Sequence, residues 1–143
     1  MTHSQLAFLA SSVNPVLLAA FVIFVMARIR DRTEVVTILS RTGIALVVTY
    51  LLAHINRWMH LWKYHGSFPS GHMTFYISVA TSFFLLSRRS ALVTVPIAFL
   101  YGWLIVFLNF HTWLDLWGAI FLSVPLTLLC HRTFRYRSGN YFK

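Results

Sequence analysis

The sequence predicts an all-α, polytopic membrane helix bundle of about five transmembrane helices, and three observations predict it. Of 143 residues, 58% are hydrophobic and only 10% are charged, with a mean hydropathy of +0.70. A water-soluble domain of this length cannot hide that much apolar surface, so lipid must be the solvent for most of it. The apolar residues fall into five runs near the ~20 residues that cross a bilayer, and the basic residues collect between alternate runs, as flanks of membrane spans do.

The first run, roughly Leu6–Ala27, is long enough to remain as a span, and Met1 to Gln5 lacks the positive stretch of a cleavable signal. The second, Val35–Ile55, follows a connection carrying Arg28, Arg30 and Arg32, with Arg41 in or near it. The third, His72–Leu86, is short and is expected to extend through Ser87 or to begin within the preceding loop. Pro69 ends any helix before it, and Ser70 can cap the helix that follows. Arg88 and Arg89 form the turn to the fourth run, Ala91–Phe110, and the fifth, Trp113–Cys130, leads into a tail with Arg132, Arg135, Arg137 and Lys143. Pro15, Pro96 and Pro125 fall inside runs, where neighbouring helices can satisfy the freed carbonyls. With no repeat, low-complexity segment or linker, the chain reads as one domain, 1–143. Cys130 is the single cysteine, which excludes an internal disulfide and fits a small buried hydrophobe.

Charge gives the orientation. The formal charge of +9 comes from 12 Lys and Arg against 3 Asp and Glu. With five spans, ten of those twelve bases share one face, which the positive-inside rule makes cytoplasmic; the N-terminus is then outside and the C-terminus cytoplasmic. The basicity is therefore topology, not a nucleic-acid footprint. The opposite face holds the loop over 56–71 and the connection over 109–112. Trp58, Trp62, Trp113 and Trp117 flank those segments as an interfacial belt would. Small size and the absence of any Asn-x-Ser/Thr site lean toward a bacterial inner membrane with a periplasm-facing site. An organelle membrane with a lumenal site stays open.

The outer face carries few ionisable groups, and they are bunched. Arg57 and Lys63 are its strong bases, Asp115 its acid, and His54, His60, His65, His72 and His111 lie in or beside the same two segments. Ionisable groups near hydrocarbon are costly, so such a cluster is a candidate site. In "HTWLD", His111 and Asp115 are one helical turn apart, and a carboxylate there can fix the histidine tautomer and make the other ring nitrogen more nucleophilic. Gly118 and Ala119 on the next turn are small enough for another helix to approach. In "FPSGH", Ser70 caps, Gly71 lets backbone come close to a ligand, and the free amides at the helix start can hold a phosphate oxygen. His72 then stands where it can donate a proton to a leaving oxygen. His60 and His65 read mainly as interfacial residues, and His54 as a helix-packing one.

"FPSGH" at 68–72 and "HTWLD" at 111–115 resemble the second and third motifs of the type 2 phosphatidic acid phosphatase superfamily, lipid phosphatases and haloperoxidases among them. The likeness covers roughly residues 45–131, and the separation of 39 residues between His72 and His111 is in the range that family uses. The resemblance implies metal-independent phosphoryl transfer through a phosphohistidine, with no cofactor and a phosphorylated lipid as substrate. It makes His111 the nucleophile, Asp115 its orienting partner, His72 the general acid, and Ser70 and Gly71 phosphate ligands. The family's first motif, Lys-x6-Arg-Pro, has no counterpart; Arg57 and Lys63 stand upstream in the reverse order. Leu104 and Ile105 occupy the places of the third motif's Ser-Arg. Arg57 and Lys63 are the bases available to neutralise a phosphate in their stead. Loss of those basic positions also resembles the sphingomyelin synthase branch, which passes a phospho-headgroup between lipids. Three readings follow: a lipid phosphatase, a headgroup transferase, and a non-catalytic membrane relative.

Overall fold

The structure is a computed structural model that describes residues 2–59 and 68–132, the side chains of His3 and Arg57 excepted. Five α-helices are formed: α1 (His3–Arg28), α2 (Arg32–Met59), α3 (Gly71–Leu86), α4 (Ala91–Phe107) and α5 (Trp113–Arg132), with a single 3-10 turn, Arg88–Ser90, between α3 and α4. No strand occurs among the described residues.

Local chemistry sets the ends. The α1 helix starts three residues before the apolar run because Thr2 and Gln5 form a capping box: the Gln5 amide donates to the Thr2 hydroxyl and the Thr2 amide to the Gln5 side chain. Asp31 accepts the Thr33 amide at 2.9 Å where α2 begins. Ser70 caps α3 as its sequence position predicts, its hydroxyl accepting from the Met73 amide at 3.3 Å. Residue Phe110 was expected to close the fourth run, yet α4 stops at Phe107. Asn109 takes φ 56°. Its amide donates to Val106 O and that of Phe110 to Ile105 O. This pairing is a Schellman stop, which asparagine tolerates where most side chains resist a left-handed backbone.

Four stretches are long and apolar enough to cross a membrane: Ser4–Arg28, Arg32–Asn56, Arg88–Phe107 and Trp113–Arg132. The third run is the exception to the expected five. It neither extends past Leu86 nor starts before Gly71, and its 16 residues rise only ~24 Å. This short helix is nevertheless the centre of the bundle, packing against all four others. Two apolar clusters hold it. At one end Ala10, Met73, Tyr76, Tyr101, Ile105, Leu108, Leu116 and Ala119 join α1, α3, α4 and α5. At the other, Phe21, Val25, Ile29, Ile38 and Val79 join α1, α2 and α3. Between α3 and α5 runs a seam of small hydroxyl side chains; Thr74, Ser78, Ser82, Ser123 and Thr127 are all buried. Ser123 donates to Thr74 O, and Ser82 pairs with His131 at 3.2 Å. Small residues let the backbones approach, and each such bond contributes about 0.6 kcal/mol in a bilayer.

Arg28, Arg30, Arg32, Arg88, Arg89 and Arg132 are exposed at the end of the bundle where α1, α3 and α5 finish. Arg41, expected in or near the first connection, instead lies well inside α2 and is buried. His54 also departs from expectation. The inward stripe of α2 is Ala45, Thr49 and Ala53, one turn apart, and His54 falls about 100° away from it and is exposed. Trp58, Trp113 and Trp117 are exposed, as a belt at a membrane surface requires.

Candidate active site

The starts of α3 and α5 meet at the end of the bundle opposite the exposed arginines. The Schellman stop at Asn109 turns the chain, leaving His111 on the short connection just before α5. Thr112 and Asp115 then close that helix start reciprocally. The Thr112 amide donates to Asp115 Oδ2 at 2.8 Å, and the Asp115 amide donates to the Thr112 hydroxyl at 3.3 Å. The sequence reading saw the His-x3-Asp pair but missed this capping box, whose signal is the Thr-x2-acid spacing inside "HTWLD".

Asp115 is 0% exposed, and its Oδ2 lies 3.7 Å from His111 Nδ1, while the His111 side chain is 11% exposed. That separation is ion-pair range; a hydrogen bond needs about 0.5 Å less, and such contacts commonly tighten only with substrate bound. The carboxylate faces Nδ1, so Nε2 is the ring nitrogen left to attack a substrate. His72, exposed on the first turn of α3, brings its ring to 6.1 Å from that of His111, centroid to centroid, in an edge-on arrangement. The Gly71 and His72 amides are at the free end of α3, where no intrahelical acceptor exists and the helix dipole favours an anion.

Three hydrogen bonds from three different helices hold the segment 68–72 in place. The Ser70 amide donates to the backbone carbonyl of Asp115 at 3.1 Å, tying the start of α3 to the first turn of α5. Asn56, near the end of α2, donates to Phe68 O at 2.8 Å. Asn14, near the middle of α1, donates to His72 O at 3.1 Å. Neither asparagine was a candidate from sequence. The available signal was their rarity: the chain has four Asn, and Asn14 is isolated inside a span.

The structure thus brings His72, His111, Asp115, Ser70 and Gly71 together. Ser70 is fully buried with its hydroxyl committed to the cap, so its amide and position, more than its hydroxyl, shape the site. Arg57 lies in the last turns of α2, but its side chain is outside the described residues, as are Lys63, His60, His65 and Trp62 altogether. Leu104 and Ile105 are part of the core packing, Ile105 at 0% exposure.

Gly118 shows how tightly the second segment fits. A Cβ there would overlap the ring of Phe68, whose carbonyl Asn56 holds. At Gly102 a Cβ would meet only the tip of Leu116, at 2.8 Å, which can rotate away. Gly118→Ala is therefore expected to destabilise the protein by about 1–3 kcal/mol, whereas Gly102→Ala leaves it nearly unchanged. Melting curves in detergent check the pair; equal shifts would remove the special role of the Phe68 contact.

The fold and this end of it define a class: a helical bundle of membrane-spanning proportions carrying two histidines and a buried carboxylate where two helix starts converge. No family model, characterised protein or solved structure matches the chain.

Proposed function

We propose that the chain is an integral-membrane phosphatase that hydrolyses a lipid phosphate or pyrophosphate at the outer membrane face, as its resemblance to the type 2 phosphatidic acid phosphatases implies. The observation that carries this reading is the approach of the His72 and His111 rings to 6.1 Å at the free end of α3, with Asp115 buried behind His111. The exposed arginines at the far end support an orientation with that end in the cytoplasm and the N-terminus outside. A bacterial inner membrane, with the site toward the periplasm, suits that arrangement.

The substrate phosphate sits against the Gly71 and His72 amides, where helix start and dipole favour negative charge. His111 Nε2 attacks phosphorus while the bond from phosphorus to the lipid oxygen breaks. His72 gives its proton to that departing oxygen, and the lipid alcohol leaves. Asp115 holds the imidazole by Nδ1 and offsets the positive charge that develops on it. Water then attacks the phosphohistidine, passing a proton to His72 as the phosphorus–nitrogen bond breaks and phosphate is released. Arg57 and Lys63 are assigned to neutralising the phosphate oxygens.

The test is free phosphate released from a panel of lipid phosphates (isoprenoid, glycerolipid, sphingoid and lipid A types) by detergent-solubilised protein in excess chelator. Release is expected from at least one of them and is expected to survive the chelator. No release from any would leave the non-catalytic reading in its place. One observation favours a second reading: the core packing of Leu104 and Ile105, since loss of the arginine there resembles the headgroup-transfer branch. Supplying an acceptor alcohol separates the two, because transfer yields a new phosphodiester in place of free phosphate. Arg57→Ala is expected to slow turnover far more than Arg135→Ala; equal effects would withdraw Arg57 from the site.

A further inference from the structure

We propose that Asn14, inside the first span, is a positioning residue that fixes the orientation of His72. The kinetic part of this inference rests on the proposed phosphatase reading; its spectroscopic part does not.

Asn14 is 9% exposed, eleven residues beyond the start of α1, in a stretch with no other amide or charged side chain nearby. A polar group at such depth must find a partner within the protein. Its Nδ2 finds the carbonyl of His72, at 3.1 Å. That carbonyl belongs to the first turn of α3, the part of the helix with the fewest restraints of its own.

A simpler role would be to glue α1 to α3. Packing already does that without Asn14. Ala10 on one side of it, and Phe21 and Val25 on the other, are buried against α3 and its neighbours in the two apolar clusters. What the hydrogen bond adds is local. The Ser70 amide is tied to α5 and Phe68 O to α2, which fixes the segment up to the cap. Past the cap, Ser123 ties Thr74 O to α5, and Asn14 ties the carbonyl of His72 itself, on the side of the turn from which its ring projects toward His111. Without it the His72 backbone can shift between the Ser70 and Thr74 anchors, and a ring at the end of a side chain magnifies a small shift. A displacement of about 1 Å at a reacting group costs up to about a hundredfold in rate.

The experiment uses the full chain with Asn14→Leu, which keeps the volume and suits hydrocarbon, and Asn14→Gln, which keeps the amide. Histidine-specific ¹⁵N spectra, with the His72 signals assigned from His72→Ala, are recorded across a pH titration beside steady-state phosphate release. Asn14→Leu is expected to shift the His72 ring signals. It is also expected to lower kcat about ten- to a hundredfold with KM within about twofold. Asn14→Gln is expected to restore part of both, and it serves alone should the leucine variant not fold. His72 signals unchanged in the variants would overturn the inference, as would a loss of melting temperature with kcat intact. If wild type and His111→Ala release phosphate equally, or neither releases any, the phosphatase reading fails. The His72 spectra then still decide for or against Asn14.

Discussion

His111→Ala is expected to abolish phosphate release from lipid phosphates, by at least about a thousandfold in kcat, with lipid binding retained. The size follows from the geometry. His111 is the ring backed by a fully buried carboxylate, and no other described histidine has an acid within ion-pair reach. Its replacement leaves the amides at the start of α3 in place, so a phosphate can still be held but has nothing to attack it. Phosphate release and lipid binding measured together check this. Release that survives in His111→Ala would end every reading in which this histidine forms the covalent intermediate, transferase included. The complementary assay is base-quenched protein treated with radiolabelled lipid phosphate, where label should appear in wild type and vanish in the variant.

Asp115→Asn is expected to be nearly as damaging, about a hundred- to ten-thousandfold in kcat, the range seen when the orienting carboxylate of a histidine becomes an amide. Asparagine keeps the size and can still accept the Thr112 amide through its oxygen, so the start of α5 should survive. The atom that accepts the Thr112 amide also faces His111 Nδ1, so asparagine would present a neutral oxygen there and lose the charge that offsets the developing imidazolium. Asp115→Ala removes the cap as well, adding about 1 kcal/mol of destabilisation. Melting temperature and kcat therefore separate the two substitutions: asparagine should reduce kcat alone, alanine both. If Asp115→Asn retained full turnover, Asp115 would be reduced to a cap, and the His-x3-Asp pair would lose its chemical meaning.

The parts of the site that sequence made legible are those whose chemistry is local. Pro69 and Ser70 announce a helix start because the restraint and the cap lie within four residues of each other, and α3 begins there. His111 and Asp115 are legible for the same reason, one turn apart. The reach of Asn14 and Asn56 was not, because each donates to a backbone carbonyl, 58 and 12 residues away respectively, and carbonyls carry no residue identity. Asn109 was hidden inside a run whose hydropathy continues to Phe110, since a left-handed residue leaves no trace in apolar content. Arg41 was assigned toward a connection on charge alone, yet α2 starts at Arg32 and carries it inward. The five runs themselves were read nearly to their ends, because an apolar run of spanning length has few alternatives to a helix when lipid is the solvent.

The brevity of α3 has a topographic consequence. Its first turn lies level with Asn14, eleven residues and hence ~16 Å along α1, so among the described residues the start of α1 stands well beyond the start of α3. On the phosphatase reading proposed above, a lipid whose head group reaches the start of α3 beside α1 keeps its tail among its neighbours in the leaflet. On that same reading, discrimination is expected to fall on the phosphate and the first few atoms behind it, and the rest of the lipid chain to go unread.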